Sequence, residues 1–98
     1  MVRAVPKGQV TPERVIEKKF VERVKLLGGL CEKFTSPSNR GVPDRICIMP
    51  NGVLVFAEMK STVGKLSPLQ MLKKEQYEKL GHRYVIISSV EDINAFGC

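Results

Sequence analysis

Five apolar residues in a row, Val53-Leu54-Val55-Phe56-Ala57, lead directly into Glu58-Met59-Lys60. A run of this length, rich in β-branched and aromatic residues and opened by Pro50-Asn51-Gly52, reads as a strand, Val53 to Lys60, behind a hairpin turn. It is apolar at every position through Ala57, so burial on both faces is expected. Side chains alternate along a strand, so Glu58 and Lys60 share the face of Leu54 and Phe56. A carboxylate and an ammonium therefore emerge side by side at the end of a core strand. A salt bridge at a strand end would account for the pair taken alone. Glu-x-Lys arises by chance roughly once in a few hundred residues at average composition, so the neighbouring strand has to decide.

That neighbour is Asp44 to Met49, with Asp44, Ile46 and Ile48 on one face. A hairpin pairs positions about equally distant from its turn. Asp44 lies seven residues before Asn51 and Glu58 seven after it, so the hairpin brings the two carboxylates together. Two carboxylates at one sheet end repel unless positive charge sits between them. Lys60 could supply part of that charge, and a divalent metal more. Asp44 on its own would also suit a turn after Pro43.

The rest of the chain supplies the frame. Residues Met1 to Val10 read as a flexible tail, leaving 11–98 as a single domain. Thr11 and Pro12 mark a helix start, as N-cap and first helical residue. Ile16, Phe20, Val24 and Leu27 form one apolar stripe, and Gly28-Gly29 ends the helix. Leu30 to Phe34 fits a short strand, and Thr35 to Pro43 and Ser61 to Leu66 are loops. A second helix starts at Ser67-Pro68, runs to Leu80 and stops at Gly81. Tyr84 to Ser88 is a last strand, followed by a short helix over Val90 to Phe96. The order predicts an α/β fold, a sheet with helices packed against it.

Three further side chains bear on the sheet end. On a helical wheel Glu17 falls at the margin of the apolar stripe, where a carboxylate needs a partner. Glu13 projects near the same face, but the helix dipole already favours an acid in the first turn. Gln70 closes a capping box, Ser67-Pro68-Leu69-Gln70, which would account for it; the helix also begins soon after the Glu-x-Lys strand, so Gln70 can face the site as well. The candidate ligands are all oxygens, which suits Mg²⁺ or Mn²⁺ rather than zinc. His82, the only histidine, fits a surface or satisfied residue better than a ligand.

Composition narrows the partners. Sixteen Lys and Arg against ten Asp and Glu give a net charge of +6, and removing Arg3 and Lys7 still leaves +4. Such a surface suits a polyanion, although solubility alone could explain it. Cys31, Cys47 and Cys98 are odd in number and match no metal spacing; Cys31 and Cys47 fit small core residues in a reducing cytoplasm. No segment is long and apolar enough for a membrane span, and the N-terminus lacks a signal-peptide core.

Gly41-Val42-Pro43-Asp44, Glu58-Met59-Lys60 fourteen residues after the Asp, and Leu66-Ser67-Pro68-Leu69-Gln70 together resemble a nuclease of the PD-(D/E)xK superfamily. Within it the chain resembles the virus-type replication-repair nuclease (VRR-NUC) family in its short form, from about Glu13 to Phe96. The resemblance implies a restriction-endonuclease-like α-β-β-β-α-β core, a central mixed sheet flanked by helices. It implies that Asp44, Glu58 and the Met59 carbonyl bind the metal, with Glu17 as the helix carboxylate that completes the site. Lys60 would be the catalytic lysine, and Gln70 would lie beside it. It also implies a homodimer that cleaves four-way (Holliday) DNA junctions, in DNA repair.

The expected function is thus a Mg²⁺- or Mn²⁺-dependent endonuclease acting on branched DNA in the cytoplasm of a bacterial or phage-infected cell. Ser38, Asn39, Arg40, Lys65, Lys73 and Lys74 are candidate contacts to the DNA backbone, unless the helix lysines merely form a solvated face. Met71, Tyr77, Val90, Ile93 and Phe96 are candidates for a dimer surface. The competing readings are a nuclease for flaps, nicks or duplex ends, and a nucleic-acid-binding module in which Asp44, Glu58 and Lys60 form a structural ion network.

Overall fold

The computed structural model describes residues 10–36 and 40–97. Helix α1 spans Glu13–Leu26, with Ile16, Phe20 and Val24 completely buried. Each such side chain contributes about 1.5–3 kcal/mol of burial. The helix ends where Gly28 adopts a positive φ of 85°. There the Gly29 N–H closes back on the Val24 carbonyl at 3.0 Å, the glycine-terminated ending expected from sequence. Its start differs from the expectation: Pro12 is the N-cap, without a side-chain cap. Thr11 is engaged elsewhere. Its N–H donates to Thr62 Oγ1 at 2.9 Å, and its carbonyl accepts from the Thr62 N–H at 3.2 Å. A long-range partner has displaced the local cap, and it ties the start of α1 to the loop beyond Lys60.

Four strands follow: β1 (Leu30–Lys33), β2 (Arg45–Ile48), β3 (Leu54–Met59) and β4 (Arg83–Ile87), in that spatial order. The first three are antiparallel neighbours, and β4 joins β3 in parallel. A parallel neighbour requires a crossover connection, and helix α2 (Pro68–Lys79) makes it. A short helix, α3 (Val90–Ala95), closes the chain. This is the expected mixed sheet flanked by helices.

The two faces of the sheet are covered unequally. Cys47, Val55, Ala57, Met59 and Ile87 face α1 and α3 and form one buried cluster with the α1 stripe. Phe96 packs edge-on against Phe20 at 4.9 Å, and Ile93 is buried. On the other face α2 rests on its aromatic Tyr77, whose ring lies 4.8 Å from Phe56 and 5.9 Å from Tyr84. No residue of α2 is fully buried. Beyond its reach Leu30, Ile48 and Leu54 stand in register across three strands, exposed by 58%, 45% and 37%. Burial of the third strand on both faces therefore holds only toward its C-terminal end. Cys31 and Cys47 face each other across β1 and β2 as free thiols.

Candidate active site

The hairpin register decides the site. Arg45 pairs with Ala57, so one residue further along, Asp44 comes opposite Glu58. The Asp44 carboxylate turns back over the strand end and accepts the Met59 N–H at 2.8 Å. Gly41 makes the approach to Asp44 possible. Its φ is +83°, and a Cβ there would come within 2.7 Å of Leu69 Cγ and 3.1 Å of the Leu69 carbonyl oxygen. Any side chain at 41 would push the Gly41-Val42-Pro43-Asp44 loop off the start of α2.

Glu58 is only 2% exposed. Its Oε2 accepts from Gln70 Nε2 at 2.9 Å and lies 3.7 Å from Lys60 Nζ. Its Oε1 is buried and has no hydrogen-bond partner among the described residues. Burial first, and the nearby Asp44 carboxylate second, push the Glu58 carboxyl up to about 8; Lys60 pulls it back down, and Glu13 adds to the rise. Gln70 fulfils both roles open to it. Its Oε1 accepts the Ser67 N–H at 2.9 Å while Ser67 Oγ accepts the Gln70 N–H at 3.1 Å. The capping box thus fixes the amide whose other end holds Glu58.

Glu17 does not join this group. Its carboxylate accepts from Arg45 Nε at 2.9 Å, and Arg45 also donates to the Cys31 carbonyl at 3.3 Å. The need for a partner on the sheet-facing side of α1 is real, but an arginine meets it. Arg45 was the unread signal: it shares a strand face with Cys47, and a charge on that buried face requires a counter-charge. Glu13 is exposed, and of the two helix acids it is the one whose charge is felt at Glu58, as the smallest of the influences that raise it. Sequence reasoning also passed over Tyr84. Its buried hydroxyl has no partner among the described residues, and burial, with Glu58 and Asp44, pushes it above the usual phenol range.

Of the candidate DNA contacts, Arg40 and Lys65 are exposed, and Lys73 is half-buried. Lys74 is paired with Glu78 at 2.8 Å. Ser38 and Asn39 lie outside the described residues. Among the described residues no three His, Cys, Asp or Glu side chains gather as a metal cluster. Asp44 and Glu58 therefore stand as a pair of carboxylates, with the Met59 N–H on Asp44. A buried carboxylate oxygen without a donor is nevertheless what a hard cation would satisfy, so the donor set fits Mg²⁺ or Mn²⁺.

A mixed four-stranded sheet carrying Asp and Glu-x-Lys at one end of a hairpin defines a nuclease domain of the PD-(D/E)xK class. No family model matches the sequence. A curated relative, "Putative nuclease p44" of Acyrthosiphon pisum secondary endosymbiont phage 1, is 40% identical over 77 residues, 79% of this chain and 83% of that protein. A solved structure described as a VRR_NUC domain superposes with a TM-score of 0.79 at 31% identity, covering 84% of this chain and 89% of that one. The chain belongs to the VRR-NUC family of nuclease domains.

Proposed function

We propose that this domain is a Mg²⁺- or Mn²⁺-dependent endonuclease that hydrolyses phosphodiester bonds in branched DNA, working as a homodimer on four-way junctions. The observation that carries the chemistry is the buried Glu58 oxygen without a donor, beside Asp44 and within 3.7 Å of Lys60 on its other oxygen. Asp44, Glu58 and the Met59 carbonyl would hold the cation, which when bound polarises the phosphoryl group and acidifies water. Lys60 supplies a fixed positive charge where negative charge grows on the phosphoryl oxygens. Gln70 holds the Glu58 carboxylate in place, and the buried strand end keeps bulk water from screening these charges.

The deciding experiment offers labelled four-way junction, flap, nicked and plain duplex DNA with Mg²⁺, with Mn²⁺ and with EDTA. Symmetric cuts in the junction that require metal are expected. Preferred cutting of flaps, nicks or ends would redirect the substrate assignment, and binding without cutting would replace the enzyme with a binding module.

The helix acid gives a sharper test. Glu13→Gln is expected to weaken cleavage and raise the metal concentration needed by about tenfold or more, because it removes a negative charge near enough to be felt at Glu58 and so to attract the cation. Glu17→Gln should instead lower the melting temperature, because it strands the Arg45 guanidinium. Paired metal titrations and melts check this, and a larger cleavage loss from the Glu17 change would reverse it.

Two cuts in a junction call for two sites, and a two-fold dimer matches the symmetry of the substrate. The surface that supports it is the exposed row Leu30, Ile48 and Leu54, rather than Tyr77, Ile93 and Phe96, which are packed internally. Of the other candidates, Met71 and Val90 are exposed by 57% and 40%. The row lies four residues down the strand from Glu58, about 13 Å away, so a partner there leaves the site open. Ile48→Glu is expected to convert a dimer into a monomer by light scattering with the melting temperature nearly unchanged. An unaltered mass would move the interface elsewhere.

A further inference from the structure

Beyond the sheet end, α1 carries a row of cations that nothing in the described structure uses. Arg14, Lys18 and Lys25 fall within about 40° of one another around the helix. Together with Arg45 they line an open depression of about 400 Å³ between α1 and β2. Of the two acids there, Glu17 is taken by Arg45 at 2.9 Å, which leaves Glu22. Arg14, Lys18 and Lys25 make no ion pair among the described residues. The contrast with α2 is direct: there Lys74 and Lys79 are paired internally with Glu78 and Glu75. The row spans twelve residues of helix, about 16 Å from first to last. One strand of a duplex presents a phosphate every ~3.4 Å of axis, so this length faces about five phosphates. The depression also reaches the site end of the sheet, because Arg45, which lines it, follows Asp44 directly in the chain and pairs with Ala57, the residue before Glu58.

We infer that the duplex arm leaving the scissile phosphate lies along this flank of α1, with its backbone held by Arg14, Lys18 and Lys25. The inference rests on the nuclease reading and adds where the DNA runs. Phosphate contacts of this kind carry affinity and orientation but no sequence preference. An arm bound on one side of each site would also fix the direction in which a branched substrate enters it.

The test measures binding without cutting, by fluorescence anisotropy of a labelled duplex of about 30 base pairs in EDTA across roughly 50–300 mM salt. Lys18→Ala/Lys25→Ala is expected to make the slope of log K against log salt shallower by about 1.8, because each lost phosphate contact removes about 0.9. Lys19→Ala/Lys79→Ala removes the same charge elsewhere and should leave the slope unchanged. Equal slopes for the two double variants would overturn the inference. Cleavage by the unaltered protein with Mg²⁺, run in parallel, judges the nuclease reading separately. Cutting with equal slopes sinks the α1 path alone, whereas a slope change without cutting supports the path and sinks the enzyme.

Discussion

Lys60→Ala, Glu58→Gln and Asp44→Asn are each expected to lower the cleavage rate about 10²–10⁴-fold while the domain stays folded. The magnitude is that of removing one charged group from a preorganised, water-poor site. Each change spares the architecture for its own reason. Asp44→Asn keeps an oxygen that can accept the Met59 N–H, now held at 2.8 Å. Glu58→Gln keeps an acceptor for Gln70. Lys60→Ala removes a side chain that is 16% exposed and anchored through its backbone N–H to the Ile87 carbonyl at 2.9 Å. Because the three act as one unit, a double variant should lose little more than the worse single one. Single-turnover cleavage at saturating protein, with circular dichroism as the fold control, checks the set. Turnover at the unaltered rate in any one of them would remove that residue from the site.

Stability of the metal-free protein should fall as pH rises from about 4.5 to about 8, and Glu58→Gln should abolish most of that fall. The sign follows from proton counting. Glu58 holds its proton up to about 8 in the folded protein, against an ordinary value of 4.5. Between those values the folded state binds a proton that the unfolded chain has released, so ΔG of unfolding decreases with pH. Below the window there is no difference, and above it the full penalty of a buried charge beside Asp44 remains. Thermal melts in EDTA should drop by several degrees across the window, since about 1 kcal/mol moves the midpoint of a small domain by ~4–8 °C. Mg²⁺ should restore more stability at pH 8 than at pH 5, because the cation binds the ionised carboxylate. Parallel pH slopes for Glu58→Gln and the unaltered protein would show that another group is responsible.

These expectations differ in how much of their basis was legible in the sequence. The meeting of Asp44 and Glu58 was fully legible. A tight turn at Pro50-Asn51-Gly52 fixes the register, and the two-residue period of a strand then fixes the faces. The capping box at Ser67 and Gln70 was legible for the same reason, since both partners lie within one helical turn. Contact of the same glutamine with Glu58 was not, because it joins residues twelve apart through the packing of α2 on the sheet.

The start of α1 shows where local signals lose to distant ones. A Thr-Pro pair before an apolar stripe predicts a cap on Thr11, yet the loop at Thr62 takes that residue, and the helix begins one position later than it would. The fate of Glu17 is likewise decided at a distance, by Arg45 twenty-eight residues away.

What the sequence determined by itself was therefore the set of elements, the hairpin register, the paired carboxylates with Lys60 beside them, and the α/β order that makes a mixed sheet. Each depends on periodicity or on neighbours a few residues apart. The tertiary structure alone decided that Arg45 claims Glu17, that the Glu58 carboxylate loses its water, and which apolar residues stay uncovered. A helical wheel gives the angle of a side chain about its own axis, but not the shift and roll of that helix against the sheet. Those are set by the close packing of Ile16, Phe20 and Val24 into the core and by the hydrogen bonds between Thr11 and Thr62.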